Sequence, residues 1–170
     1  MLGVILRTPY PVGEDGTVTS MDRYQALELE TMLLGRHLTP LRQGRFERKL
    51  ERSGYTLLAR LQAQGPMSIG ELSEMLGLDV STLNRQTAAL VKSGSLERVP
   101  DPEGGIARKF RVTAAGEEEL EFDRRLNVDG LRLLLQEWDP DDVERFVVLM
   151  RRFNTDIEDR VGQPWPRQDV

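Results

Sequence analysis

Apolar and polar positions along the chain change period several times, and each change marks an element. Leu27, Thr31, Leu34 and Leu38 recur at helical spacing, which predicts a helix over about 22–38 stopped by Pro40. A second helix fits 41–51, ended near Ser53-Gly54. A third fits "YTLLARLQAQG", with Leu57, Leu58 and Leu61 inward and Gly65 closing it. Ser68 and Glu71 form a capping box, in which hydroxyl and carboxylate each satisfy an orphan amide. Ile69, Leu72, Met75 and Leu76 follow on one face, and Gly77 permits the positive φ that ends the helix. Asp79 is placed to cap the next helix, whose Leu83, Thr87, Leu90 and Val91 point inward before Gly94 stops it.

The period then shortens. "LERV" and "IARKFRV" flank "PDPEGG", two strand-like runs around a Pro/Gly turn, which predicts a β-hairpin. On the second run Arg108, Phe110 and Val112 share one face, Lys109 and Arg111 the other. Thr113 caps a long helix through "EEELEFDRRLNVDGLRLLLQEW". Asp139-Pro140 is an N-cap with proline at the first helical position. The last helix carries Val143, Phe146, Val147, Met150, Phe153 and Ile157, a stripe better suited to an interface between two copies than to a core of its own. The predicted fold is mainly α with a small β-hairpin wing: a winged helix-turn-helix over 55–112, flanked by helical regions over 21–54 and 113–160. An N-terminal arm occupies 1–20 and an irregular tail 161–170.

Charge sharpens this picture. The chain of 170 residues has a net charge of −5, which argues against a general nucleic-acid coat. From Ser81 to Arg111, however, Arg85, Lys92, Arg98, Arg108, Lys109 and Arg111 outnumber Glu97, Asp101 and Glu103. A local basic patch is what a site-specific binder of phosphate needs. Inside it, the helix after Asp79 crowds Ser81, Thr82, Asn84, Arg85 and Gln86 into its first turns. Ser81, Thr82, Arg85 and Gln86 are expected opposite Leu83, Thr87 and Leu90, with Asn84 at the flank. A recognition helix enters the major groove by its N-terminal end. Arg suits guanine, Gln or Asn suits adenine, and hydroxyls suit phosphates or base edges. On the hairpin, Arg108, Lys109 and Arg111 are the candidate DNA contacts, and the Gly-Gly tip lets backbone approach a phosphate or minor groove.

Other chemistry is scarce. With no cysteine, the chain has no disulfide, thiolate metal site or cysteine nucleophile. His37 is the single histidine and stands outside any metal-ligand or catalytic spacing, so it is either an ordinary partly buried side chain or a contact in a ligand pocket. Neither "DPDDVE" nor "PDPEGG" is a catalytic motif: the first is helix-start charge and the second lacks Gly-Lys-Ser/Thr. An enzyme is not expected, nor a cofactor. No apolar run reaches the ~20 residues that cross a bilayer, and the stretch before Arg7 is too short for a signal peptide; a cytoplasmic protein without membrane contact is expected.

The stretch "SIGELSEMLGLDVSTLNRQTAALVKSGSLERVPDPEGG…RVTAAG" resembles the multiple antibiotic resistance regulator (MarR) family. Helix, Gly-Leu-Asp turn, Ser-Thr-x-x-Arg helix, "SG-L-ERV", "PDPE" and Thr-x-x-Gly follow in the family's order, and the flanking helices extend the resemblance over about 21–160. The resemblance implies a dimeric transcriptional regulator with helices from both ends of the chain forming the dimerisation region. It also implies double-stranded DNA as partner and a small, often aromatic effector bound between dimerisation and DNA-binding parts. A repressor at an inverted repeat is the expected function. One departure concerns the wing, where the family's Asp-x-Arg is replaced by Gly104, Gly105 and Ile106. Either Arg108 or Lys109 takes over the groove contact, or the wing touches phosphates alone. The acidic total charge keeps a second reading open, a winged-helix module for protein–protein binding, which salt-independent behaviour without DNA would reveal.

Overall fold

The structure, a computed structural model, describes residues 22–43, 48–102 and 104–167, with the backbone alone over 38–43. The arm expected over 1–20 lies outside the described residues. The chain divides into two compact units, 1–45 and 46–170.

The first unit contains α1 (Arg23–Gln43). This helix continues through Pro40, where the sequence pattern predicts a stop. Proline removes one backbone donor and crowds the preceding turn, which can kink a helix without ending it. The separate helix expected over 41–51 is absent among the described residues, since 48–51 are irregular.

The second unit runs α2 (Arg52–Gln64), α3 (Ile69–Leu76), α4 (Val80–Ser93), β1 (Leu96–Val99), β2 (Lys109–Val112), α5 (Ala114–Leu134) and α6 (Pro140–Val161). Ser53-Gly54, expected to end a helix, instead opens α2. The missing side chain has a use there: a Cβ on Gly54 would sit 3.4 Å from Leu90 Cδ2, so glycine lets α2 approach α4. Leu57, Leu58 and Leu61 of α2, Leu72 of α3, Leu83 and Leu90 of α4, Leu96, Phe110 and Leu120 close into one core. Burying such leucines is worth roughly 1.5–3 kcal/mol each, and this holds helix-turn-helix and hairpin together as a unit.

The capping box at Ser68 forms as predicted, with Ser68 Oγ accepting from Glu71 N–H and Glu71 Oε2 accepting from Ser68 N–H. Gly77 takes the left-handed conformation at the turn between α3 and α4. Asp79 stands at the N-cap of α4, but its side chain makes no cap bond. β1 and β2 pair antiparallel, Leu96 with Val112 through Val99 with Lys109. Met67 adds a further bridge, exchanging both backbone bonds with Phe110.

Two devices fix α5 to this unit. Thr113 Oγ1 donates to Gly94 O and accepts from Gly116 N–H, and Thr113 N–H donates to Ser95 O. A Cβ on Gly116 would collide with Ser95 O, so the Thr-x-x-Gly motif is a close helix–strand contact. Further along, buried Asp123 accepts from the backbone amides of Lys49 and Leu50, both at 3.1 Å. That carboxylate satisfies two orphan donors ahead of α2.

α6 starts at Asp139, whose side chain accepts from Asp141 N–H, with Pro140 at the first position. None of its residues is buried. The tail expected to be irregular from 161 leaves Val161 in α6 and is irregular over 163–167, yet it is bound to the core. Arg60 of α2 is wholly buried; its Nη1 donates to Pro164 O at 2.8 Å and its guanidinium lies 5.1 Å from the Trp165 ring.

Candidate nucleic-acid interface

Helix α4 sorts its side chains by angle. At 100° per residue, Ser81, Arg85 and Lys92 lie on the line facing away from Leu83, Thr87 and Leu90. All three are exposed, and among the described residues none donates or accepts a side-chain hydrogen bond or ion pair. Asn84 is exposed at one flank and Thr82 half-buried at the other. The outward line therefore presents a hydroxyl, a guanidinium and an ammonium in sequence, free to engage a partner.

Gln86 departs from the expected face. It lies three residues after Leu83, 300° around the helix, which returns it to the edge of the inward line. The residue is half-buried and its Oε1 is enclosed without a partner among the described residues. It lines a cleft of about 420 Å³ with Lys49, Glu51, Ser53, Arg85 and Glu119. Lys92, by contrast, belongs to the outward line; its spacing of seven from Arg85 is the signal that identifies it.

The wing separates its basic residues into two kinds. Lys109, expected to contact DNA, is buried, with Nζ 3.2 Å from Glu71 Oε1 and 3.3 Å from Asp101 Oδ1. Its pKa is raised, chiefly by the hydrogen bond to Glu71 and then by Asp101. Glu71 is depressed below the usual carboxylate range, first by the Ser68 amide and hydroxyl and further by Lys109. The same carboxylate thus caps α3 and anchors the hairpin. Alternation puts Lys109 and Arg111 on one face, as predicted, but the carboxylates that meet it come from α3 and the turn, which a strand pattern does not reveal. Arg111 is exposed and pairs with Glu97 across the ladder at 2.8 Å.

Arg108 is exposed and without a charged partner among the described residues. Arg98, on β1, is exposed too and lies over the Phe110 ring at 5.6 Å; it belongs with Arg108 as an available cation of the wing. His37 is exposed on α1. Among the described residues no group of three His, Cys, Asp or Glu side chains is placed to hold a metal ion, and no helix is long and apolar enough to cross a membrane.

Comparison with known proteins agrees with the fold. The family model of the MarR family matches residues 50–104. The chain is 38% identical over 105 residues to an uncharacterized HTH-type transcriptional regulator, YxaD, of Bacillus subtilis (strain 168), an alignment that spans 62% of this chain and 73% of that one. Among solved structures, a MarR family protein from Bacillus stearothermophilus superposes with a TM-score of 0.64 at 19% identity, covering 81% of this chain and 99% of that one. The PcaV transcriptional regulator from Streptomyces coelicolor, solved with its natural ligand, superposes with a TM-score of 0.62 at 21% identity, covering 80% and 96%. The protein–protein module finds no support among them.

Proposed function

Because the chain belongs to the MarR family of transcriptional regulators, which are not enzymes, we propose that it is a cytoplasmic homodimeric repressor that reads an inverted-repeat operator through α4. The observation that carries this reading is the outward line of α4: Ser81, Arg85 and Lys92 are exposed and uncommitted, while Lys109 and Arg111 of the wing are paired with carboxylates of the protein. Arg85 and Asn84 read base edges, and Ser81 and Thr82 hold phosphate near the helix N-terminus. Lys92, Arg98 and Arg108 contact the backbone. Arg111, exposed but paired with Glu97, exchanges that partner for phosphate, whereas Lys109 and Gln86 support the fold.

Helix α6 supports the dimer. Phe146, Val147, Leu149, Phe153 and Ile157 are each at least 40% exposed, and so large an apolar patch marks an interaction surface. The regions 21–54 and 113–160 form the dimerisation part and 55–112 the DNA-binding part. A two-fold dimer presents two α4 helices, so half-sites recur about one helical turn apart. A small aromatic effector releases the DNA; the likeness to PcaV supports a ligand, and His37 is the first position to change.

Sedimentation and footprinting test the proposal together. The wild type is expected to sediment as a dimer at micromolar concentration and to protect two inverted half-sites, and Phe146→Asp to dissociate it. A wild-type monomer, or protection of one unrepeated site, contradicts it.

A further inference from the structure

The tip of the wing carries the most exposed large apolar side chain among the described residues, Ile106, at 104% of the reference exposure. Scattered exposed apolar residues are ordinary; this one differs in how it is held. Gly104 has φ +83 and donates its N–H to Asp101 O at 3.0 Å. A Cβ on Gly105 would meet Asp101 Oδ2, so glycine leaves room for the Asp101 carboxylate to fold over the turn. The other oxygen of that carboxylate holds Lys109 Nζ, which holds Glu71 at the start of α3. The turn is thereby tied to the helix-turn-helix through a chain of charges. Its neighbours Gly105 and Ala107 are small, so the isoleucine projects alone, and Arg98 and Arg108 stand exposed near the turn end of the same hairpin.

We propose that Ile106 is an apolar wedge, entering the minor groove beside the half-site read by α4 and partly unstacking one base step. Apolar side chains inserted this way kink the duplex and widen the surface the protein covers. Arg98 and Arg108 neutralise phosphates on the two sides of the groove. The wedge favours pyrimidine–purine steps, which unstack most easily, so it contributes sequence preference without a hydrogen bond to a base.

The inference rests on the DNA-binding reading, and its test separates the two. Duplexes are enriched from a random-sequence library by the wild-type protein. Affinity, bend angle from end-to-end energy transfer, and fluorescence of 2-aminopurine placed at the flanking steps are then measured for wild type, Ile106→Ser and Arg85→Ala. Ile106→Ser, altered only at an exposed tip, is expected to keep its melting temperature and its base preferences under α4. It is expected to bind about tenfold more weakly, as the loss of one sheathed aliphatic side chain implies, to straighten the duplex, and to lose the 2-aminopurine signal and the preference for a pyrimidine–purine step. If Ile106→Ser matches wild type in affinity, bend and fluorescence while Arg85→Ala weakens binding, the wedge is refuted and the DNA-binding reading stands. If the wild type enriches no duplex, both fall.

Discussion

Glu71 carries two tasks on two oxygens. One accepts the Ser68 amide at 2.6 Å, the other the Lys109 ammonium at 3.2 Å. Both favour the ionised form, so its folded pKa lies below its unfolded one. A group depressed in this way contributes stability above the ordinary carboxylate range, and the contribution is lost as pH falls through the folded value. The side chain is 46% exposed, so solvent screens much of the pair. We therefore expect the melting temperature of wild type to exceed that of Glu71→Gln at neutral pH, and the gap to close as pH drops below the carboxylate range. A gap independent of pH would show that the charge of Glu71 is unimportant. Gly116 is a sharper case. Within a helix, Gly→Ala gains about 1 kcal/mol of propensity, but here the new methyl meets a backbone carbonyl, Ser95 O, that cannot swing aside. Overpacking of about 1–3 kcal/mol wins, and denaturant melts of Gly116→Ala should show net destabilisation.

At the scale of elements, the tail after α6 is bound more tightly than its composition suggests. Arg60 Nη1 donates to Pro164 O and Nη2 reaches Met75 Sδ, with the Trp165 ring against the guanidinium. Burial pushes the Arg60 pKa down, and the Glu158 carboxylate opposes that shift. Glu158 also accepts from Trp165 N–H and from Arg167, and these bonds set the course of the tail over α2. A desolvated cation–π contact contributes up to about 2 kcal/mol, so Trp165→Ala should lower stability by about 1–2 kcal/mol in denaturant melts. An unchanged midpoint would mean that the clasp is incidental. The contact with α2 was not legible in "GQPWPRQDV", because Arg60 and Pro164 are 104 residues apart in sequence. What was legible had local causes. The capping box, the left-handed glycines at 77 and 94, the hairpin and the Asp139-Pro140 start each rest on residues within one or two turns. The failures at Pro40 and at Ser53-Gly54 arose where a breaker residue was read by propensity alone and packing or helix continuity overrode it. Two burials were not legible for related reasons: the carboxylates beside Lys109 are remote in sequence, and Gln86 needed its angle worked out from Leu83.

Taken as a whole molecule, an acidic chain presents an uncommitted basic line on α4, from Ser81 through Arg85 to Lys92, next to a wing whose cations divide between holding the fold and facing outward. Total charge of −5 limits non-specific attraction, so affinity has to come from this face. Phosphate contacts position and base contacts specify, which makes Arg85 and the wing separable by experiment. Removing Arg108 or Arg98 should weaken all duplexes alike and flatten the salt slope, since each released counterion contributes to it. Arg85→Ala, measured on single-base variants of the enriched operator at two salt concentrations, tests the docking of α4 most directly. The account predicts a loss of about 1–3 kcal/mol and relaxed preference at one base pair in each half-site. Wild-type affinity and undiminished base preference in a folded Arg85→Ala protein would contradict it.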